Sequence, residues 1–372
     1  MPHIEKQMAS FFLTTKCNLR CVYCYNCKER AASAEQSLPL HIARAGVDYF
    51  FSHSKSRHIR FYGPGEPTCE FSLMKDIVSY AKSKAGDLLT VEIQTNGCFD
   101  PNIREWILNN VNIIWLSFDG KPNIQNANRP FPGGKPSAPV IEGNARWLIE
   151  HTNRQNLMVG VRVTITEKNI DQQKQMIDYF HSLGISYIWN DPLFPPVEME
   201  AVCDNRGKQE KYEFDPDKYV KNYIDAYHYA KQLGVFYGSF LTCNFDGKCT
   251  QHCRSCTPTP HFTTDGYVSA CDLVTFGENA HHMDCFVYGK WNETKQAFEF
   301  NSDKIKALKA RSIDNMEHCA SCFAREHCGG YCLGEVMNES GSLFGQKPQT
   351  CVAIRSLYKE LGEQPPYAYL HP

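Results

Sequence analysis

The feature that most constrains the fold is the alternation of short apolar strands with amphipathic helices over residues 9 to 190. Strands are predicted at residues 11–15, 58–62, 89–94, 113–117, 158–165 and 186–190. Helices are predicted at residues 38–53, 71–84, 101–109, 140–151 and 170–183. Strands separated by helices pair in parallel, and right-handed crossovers curl six of them toward a barrel that need not close. The sequence therefore predicts an α/β fold built on a partial (β/α)6 TIM barrel.

Three cysteines directly follow the first predicted strand. Cys17, Cys21 and Cys24 are separated by three and then two residues, and Tyr23 precedes the last of them. Three thiolates on one short loop can hold three irons of a cubane [4Fe-4S] cluster and leave the fourth iron open to another ligand. A zinc site completed by Cys27 is an alternative that these residues leave open.

Composition argues against several classes of function. The formal net charge of −2 and the pI near 6.7 provide no basic field for nucleic acid. No apolar stretch approaches the roughly 18 residues that a membrane span requires. The 18 cysteines follow an N-terminus that does not resemble a signal peptide, which favours metal ligation over disulfides. We therefore expect a cytoplasmic protein without nucleic-acid or membrane partners.

The first three cysteines resemble the CxxxCx(aromatic)C signature of the radical S-adenosylmethionine (SAM) superfamily. The resemblance implies that the amino and carboxylate groups of SAM chelate the open iron. It also implies that reductive cleavage of SAM yields a 5′-deoxyadenosyl radical, which abstracts a substrate hydrogen. A low-potential reductant such as ferredoxin or flavodoxin would then be a partner.

The loops after the predicted strands carry further residues that resemble this superfamily, as expected where the functional loops of a parallel barrel lie. The stretch Gly63-Pro64-Gly65-Glu66-Pro67 resembles the GGEP motif, which holds the SAM amino group. Glycine allows the backbone to approach a ligand, and a carboxylate accepts hydrogen bonds from an ammonium. The resemblance implies the same cofactor-binding role for Tyr23, Asn96, Ser117, Arg129 and Arg162.

A second group of cysteines occupies the last third of the chain, where 11 of the 18 follow residue 242. Their spacing resembles the SPASM extension of radical SAM maturases, which binds two auxiliary [4Fe-4S] clusters and would bring the total to three. The resemblance assigns the distal cluster to Cys319, Cys322, Cys328 and Cys351. It assigns the proximal cluster to Cys256, Cys271 and Cys332, with Cys249 preferred to Cys253 and Cys243 as fourth ligand. A zinc-ribbon array is the alternative that the cysteine pairs leave open.

These patterns predict three segments. Residues 1–190 would form the barrel, and residues 191–240 a bridge with one amphipathic helix whose tyrosines pack in the core. Residues 241–372 would form the SPASM domain with its two auxiliary clusters. Because the barrel begins about ten residues from Met1, recognition of a leader peptide would need the barrel surface or a separate protein.

The resemblance implies an enzyme that oxidatively modifies a ribosomally made peptide, by crosslinking or a related C–H oxidation. The alternative is an anaerobic sulfatase maturase, which converts Cys or Ser to formylglycine. Asp272 follows Cys271 directly, where those maturases carry an aspartate thought to deprotonate the substrate, so Asp272 is the candidate catalytic base. Gly63 and Asn26 depart from that family, which carries Gln and Tyr at these positions.

Overall fold

The computed structural model describes residues 7–26, 35–152, 157–193, 202–203, 209–210, 215–278 and 280–366. Cys27, the alternative ligand of a zinc site, lies outside these residues.

Six parallel strands pair in chain order at the centre of one sheet. They are β1 (Ala9–Phe12), β2 (His58–Tyr62), β3 (Thr90–Thr95), β4 (Ile113–Ser117), β5 (Met158–Ile165) and β6 (Tyr187–Pro192). The predicted fold class is confirmed, and the predicted bounds of the second, fourth and fifth strands coincide with the observed ones.

The crossover segments contain six helices, and all but the fourth bury apolar side chains in the core. They are α1 (Leu40–His53), α2 (Phe71–Ala85), α3 (Arg104–Asn110), α4 (Pro122–Asn128), α5 (Ala138–Thr152) and α6 (Gln173–Ser182). The helix predicted at 101–109 is divided into a 3₁₀ turn, Pro101–Ile103, and α3. The Asp100 carboxylate accepts from the N–H of Asn102 at 2.9 Å and thereby fixes the start of the turn.

The first strand ends earlier than predicted because the chain turns to pair with a second segment. Thr14 forms an isolated bridge with Ser37, and the N–H of Leu38 donates to the carbonyl of Leu13 at 2.9 Å. These bonds direct residues 13–16 away from β2, so that they begin the loop that carries the cysteines.

Both edges of the barrel sheet are extended by strands that the sequence patterns did not indicate. Strand β9 (Phe236–Gly238) pairs in parallel with β6. At the other edge β10 (His261–Phe262) pairs in parallel with β1, with Ser10 opposite His261. Strands β11 (Tyr267–Ser269), β12 (Val287–Asn292) and β13 (Ala297–Phe300) continue from β10 as an antiparallel meander. The cysteine-rich segment is thus continuous with the barrel sheet.

The bridging helix α7 spans Pro216–Gln232, and the Asp215 carboxylate caps it by accepting from the N–H of Lys218 at 2.9 Å. Tyr219 and Tyr223 on its inner face are fully buried, so the tyrosine stripe lies in the core as predicted. The other elements are β7 (Val202–Cys203), β8 (Gln209–Glu210), α8 (Ser302–Ala310), α9 (Arg325–Cys328), α10 (Leu333–Ser340) and α11 (Pro348–Leu361). Across the described ranges, every helix is too short or too polar to cross a membrane.

Candidate active site

A cavity of about 280 Å³ lies at the C-terminal ends of the six central strands. Cys17, Cys21 and Cys24 line one part of it. Three cysteines from the second half of the chain, Cys253, Cys271 and Cys332, line another. The two cysteine groups that the sequence separates by more than 200 residues therefore face one space.

The cysteine loop, residues 17–24, is held against the end of α4 and the residues that follow it. The N–H of Arg20 donates to the carbonyl of Pro130 at 2.7 Å, and that of Val22 to Asn128 at 2.9 Å. All three cysteines are partly exposed, and the amide of Asn96 points at Cys17 with 3.9 Å between Nδ2 and Sγ. The loop therefore offers three thiols to the cavity as ligands.

A buried carboxylate that the sequence patterns did not single out, Asp119, anchors two of the predicted cofactor-binding residues. The Tyr23 hydroxyl and the Asn128 amide both donate to its Oδ2, and the N–H of Thr164 donates to its Oδ1 at 3.0 Å. The Arg129 guanidinium lies 3.2 Å from Oδ2 and stacks over the Tyr23 ring at 5.2 Å. Tyr23 and Arg129 thus support the cysteine loop through one carboxylate.

Glu66 ties the loop after β2 to the end of β3. Its Oε1 accepts from the hydroxyl of Thr95 at 2.6 Å and from both the N–H and the hydroxyl of Thr68, while Oε2 accepts from the N–H of Asn96 at 2.7 Å. Burial is the largest influence on the pKa of Glu66 and raises it, although these hydrogen bonds oppose the shift. Glu66 therefore orients the loop, and Oε2 accepts only one of these hydrogen bonds.

Gly65 allows the same loop to contact the cysteine loop closely. A Cβ at this position would lie 2.3 Å from the carbonyl oxygen of Lys16, closer than any side chain could be placed. Gly63, Pro64 and Glu66 also line the cavity. Pro67 does not, because it begins the 3₁₀ turn Pro67–Glu70 behind the loop.

Arg162 enters the cavity from β5 between two indole rings. Its guanidinium lies 5.4 Å from the ring centroids of both Trp115 and Trp189, and Asp191 is its nearest carboxylate at 3.9 Å. Within the described part of the chain, the buried Nε of Arg162 has no hydrogen-bond partner. Ser117, the last residue of β4, lines the same wall. Donors directed into the cavity in this way suit an anionic ligand.

Asp191 is the penultimate residue of β6 and was not among the predicted site residues. It accepts from the indole N–H of Trp189 and the N–H of Phe240, both at 2.6 Å. Burial raises the pKa of Asp191 to about 6 from an ordinary 3.8, against the opposing charge of Arg162. The carboxylate therefore binds its proton more tightly in the folded chain than in the unfolded one.

This shift predicts a pH dependence of stability. The stabilisation from the raised pKa of Asp191 is fully present below about pH 4 and is lost as the pH rises through about 6. From about pH 5 to about pH 7 we expect the wild type to lose about 1 kcal/mol of unfolding free energy that the Asp191→Asn variant does not lose. Denaturant titrations of both proteins at several pH values measure this difference, and parallel curves would contradict it.

Asp272, the predicted catalytic base, lies at the cavity in an ion-pair cluster. Arg60 on β2 pairs with its Oδ1, and Nε2 of His261 on β10 lies 3.2 Å from the same oxygen. The Nε of Arg60 also donates to Ser10 at 2.9 Å, which fixes the guanidinium. Burial alone would raise the pKa of Asp272, but the charges of Arg60 and His261 outweigh it and hold the pKa far below its ordinary range. Asp272 is therefore ionised and firmly oriented.

The structure places Cys253, rather than the expected Cys249, beside the other proximal cysteines. The N–H of Cys256 donates to the carbonyl of Cys253 at 3.1 Å, and the proximity of the Cys256 thiol lowers the pKa of Cys253. Burial and then the charge of Cys253 raise the pKa of Cys332. Cys249 instead lies near Cys243. Burial raises the pKa of Cys243, and the charge of Cys249 is the next cause. Spacing favoured Cys249, whereas the 3₁₀ turn Arg254–Cys256 returns the chain so that Cys253 and Cys256 are adjacent.

The four predicted distal cysteines come together near the C-terminal helix α11. Burial is the main cause of the raised pKa values of Cys319 and Cys328, and the charge of Cys351 is the next cause for both. Burial also raises the pKa of Cys351, and the charge of Cys322 is a smaller cause. Among the described residues, neither these thiols nor the proximal cysteines are arranged as a group that could hold a single metal ion.

Comparisons with known proteins agree with this geometry. The family described as a 4Fe-4S single cluster domain matches residues 8–135, which include the cysteine loop. A cysteine-type anaerobic sulfatase-maturating enzyme of Clostridium novyi is 22% identical over 327 residues, which are 83% of each chain. These matches confirm the resemblance to the radical SAM maturases that the sequence indicated.

Solved structures match this chain over nearly its whole length. The structure of anSMEcpe with bound AdoMet has a TM-score of 0.73 at 16% identity and covers 95% of this chain and 93% of its own. Streptococcus suis SuiB bound to precursor peptide SuiA has a TM-score of 0.66 at 13% identity and covers 93% of this chain and 75% of its own. The shared fold is a partial barrel with a cysteine-rich C-terminal extension.

The residues that line the cavity fit a [4Fe-4S] cluster and SAM. The cysteine loop supplies three thiols, and Gly65 allows the loop after β2 to pack directly against the residues that precede those thiols. The unpartnered Nε of Arg162 suits the negative charge of a carboxylate. These features come from different elements and converge on the same space.

Proposed function

We propose that this enzyme oxidises a side chain within a ribosomally made peptide, by forming a crosslink or by a related loss of two hydrogens. The observation that carries the proposal is that one cavity is shared by both cysteine groups. The cysteine loop lines it together with Cys253, Cys271, Cys332 and Asp272. A substrate in this cavity meets both cysteine groups at once. Such an arrangement suits a reaction in which hydrogen is removed on one side and an electron on the other.

In this proposal Cys17, Cys21 and Cys24 hold the first cluster. The loop Gly63–Glu66, Asn96, Ser117, Arg129 and Arg162 bind SAM. When bound, the cluster and SAM supply a radical that removes a carbon-bound hydrogen. Asp119 orients Tyr23 and Arg129, while Glu66 fixes the loop after β2, so the chain presets the position of the cofactor.

We further propose that the proximal and distal groups each hold one auxiliary [4Fe-4S] cluster, with Cys253 as the fourth proximal ligand. Cys319, Cys322, Cys328 and Cys351 would hold the distal one. Four thiols occupy all four irons of a cubane, so neither group would leave a position for substrate. This ligation suits transfer of an electron out of the cavity rather than substrate binding.

Two relatives support a peptide or protein substrate. anSMEcpe has been solved with a Cys-containing peptide, and SuiB with its precursor peptide. Conversion of Cys or Ser to formylglycine is the second candidate, since the Clostridium novyi relative spans 83% of this chain. Asn26 stands where the sulfatase maturases carry Tyr. In this chain it is buried and accepts from the hydroxyl of Thr275 at 2.8 Å. We therefore rank peptide crosslinking or dehydrogenation above formylglycine formation.

Mass spectrometry of peptides tests the function directly. The anaerobically reconstituted enzyme is incubated with SAM, dithionite and a set of cysteine-containing peptides. Loss of two hydrogens with 5′-deoxyadenosine release supports the first function, whereas replacement of the thiol by an aldehyde oxygen supports the second. Release of deoxyadenosine without any change in peptide mass across a broad set would contradict both.

Asp272→Asn tests the role of the carboxylate as base. A well-tuned proton acceptor contributes about 10²-fold to rate, and the low pKa of Asp272 makes it a weaker acceptor, so we expect peptide modification to fall by at most about that factor. Deoxyadenosine release should continue, since Asp272 does not hold the first cluster, so the ratio of product to deoxyadenosine falls. The control is Asp265→Asn, at a carboxylate in the turn between β10 and β11 that lies outside the cavity. Equal losses of product and deoxyadenosine would show that Asp272 acts on folding or cofactor binding instead.

A further inference from the structure

The cavity contains one arginine whose charge the described residues do not pair. Arg254 lies between Cys253 and Ser255, and all three residues line the cavity. No acceptor among the residues that the structure describes lies within hydrogen-bonding or ion-pairing distance of its guanidinium. An arginine is charged at every physiological pH, so this charge faces the cavity without a direct partner.

The other cations of the cavity are each committed to a partner. Arg60 pairs with Asp272, and Arg129 pairs with Asp119. Arg162 lies between its two indole rings and faces Asp191. Arg254 is therefore the cation that remains once the proposed SAM contacts and ion pairs have been assigned.

The nearby carboxylates are committed as well. Glu92 is buried and lies 3.0 Å from Nε2 of His58, while Asp272 already has Arg60 and His261. Arg60 adds a repulsive positive charge close to Arg254. Removing a guanidinium partly from water costs free energy when no anion is paired with it. Binding an anion offsets that desolvation cost.

We propose that Arg254 binds a carboxylate of the peptide substrate and so selects peptides with a negative charge close to the modified residue. This inference rests on the proposed function, because it places the substrate in the cavity. The planar guanidinium presents paired donors that match a carboxylate, and such pairs discriminate strongly against the neutral amide. The carboxylate can belong to an acidic side chain or to the peptide C-terminus, since both offer the same two oxygens.

Peptide binding in the absence of turnover tests the proposal. The probes are acetylated, amidated nonapeptides of Ala, Gly and Ser with a central cysteine and a single Glu or Gln at each flanking position. A parallel set carries Gln and a free C-terminus. Affinities are measured anaerobically on the reconstituted, SAM-bound enzyme without reductant. We expect the wild type to bind at least one charged peptide about tenfold more tightly than its neutral counterpart.

Variants locate the origin of this preference. Arg254→Gln should bind charged and neutral peptides equally, and Arg254→Lys should retain only part of the preference because it lacks the paired donors. Arg44→Gln is the matched control, since Arg44 is exposed on α1 outside the cavity. Iron content and the electron paramagnetic resonance spectra of the clusters should be unchanged in all three.

Two results would overturn the proposal. One is a wild type with no preference for any charged peptide, and the other is an Arg254→Gln variant that keeps the preference. In the second case, a change in the cluster spectra of Arg254→Gln would mean that Arg254 neutralises the cluster held beside it. Failure of the proposed function is distinguishable, because it would show as absent peptide modification in the turnover assay whatever the charge preference.

Discussion

Replacing Cys17, Cys21 or Cys24 with alanine is expected to abolish release of 5′-deoxyadenosine. Each substitution removes one of the three thiols that the cysteine loop presents to the cavity, and two thiols on this loop cannot hold a cubane with one open iron. Activity should fall by at least about 10³-fold, since no part of the chemistry survives without the radical. Mass spectrometry of deoxyadenosine after dithionite reduction with SAM measures the loss.

Cys69→Ala is the matched control for these three variants. Cys69 follows Glu66 in the same loop region, but it is exposed and does not line the cavity. We expect this variant to retain wild-type iron and wild-type deoxyadenosine release. Turnover that survives in all three loop variants would mean that other cysteines hold the SAM-binding cluster, and Cys249, Cys253 and Cys256 would then be the next to test.

The central barrel could be predicted because each of its strands is recognisable from its own residues and the segments that flank it. The runs at β2, β4 and β5 are dense in Ile, Val, Phe and Trp, and polar or helical segments delimit them on both sides. The cysteine loop was predictable for the same reason, since its spacing is contained in eight residues. Such features need no knowledge of the rest of the chain.

The second half could not be predicted in this way because its order depends on distant pairing. Strand β10 has only two residues and becomes a strand by pairing with β1, about 250 residues away in the chain. The Arg60–Asp272 ion pair joins residues 212 apart. Cysteine spacing likewise could not separate Cys249 from Cys253, because the turn at Arg254–Cys256 decides which of them meets Cys256.

Asp119 shows why one important site residue had no signal in the sequence. An aspartate before glycine after a strand is the ordinary composition of a turn. Its role depends on Tyr23, Asn128, Arg129 and Thr164, which arrive from three other parts of the chain. A carboxylate with this many donors is detectable only after the fold is known.

Asp119→Ala is expected to destabilise the protein by about 3–5 kcal/mol, because it leaves the Arg129 guanidinium buried without its carboxylate. Guanidinium chloride titration of the reconstituted protein under anaerobic conditions, followed by circular dichroism, measures the change. Asp100→Ala is the control, since Asp100 is exposed and only caps the turn at Pro101, and such a loss costs about 1 kcal/mol.

A double variant tests whether the unpaired charge of Arg129 causes the loss of stability in Asp119→Ala. Adding Arg129→Met to Asp119→Ala removes the stranded guanidinium, so the double variant should be more stable than Asp119→Ala alone. Deoxyadenosine release should not recover with stability, because the proposed SAM contact of Arg129 and the anchoring of Tyr23 are both missing. If the double variant were less stable than either single variant, the two side chains would contribute through packing rather than through their charges, and Asp119 would not be the electrostatic anchor of the cysteine loop.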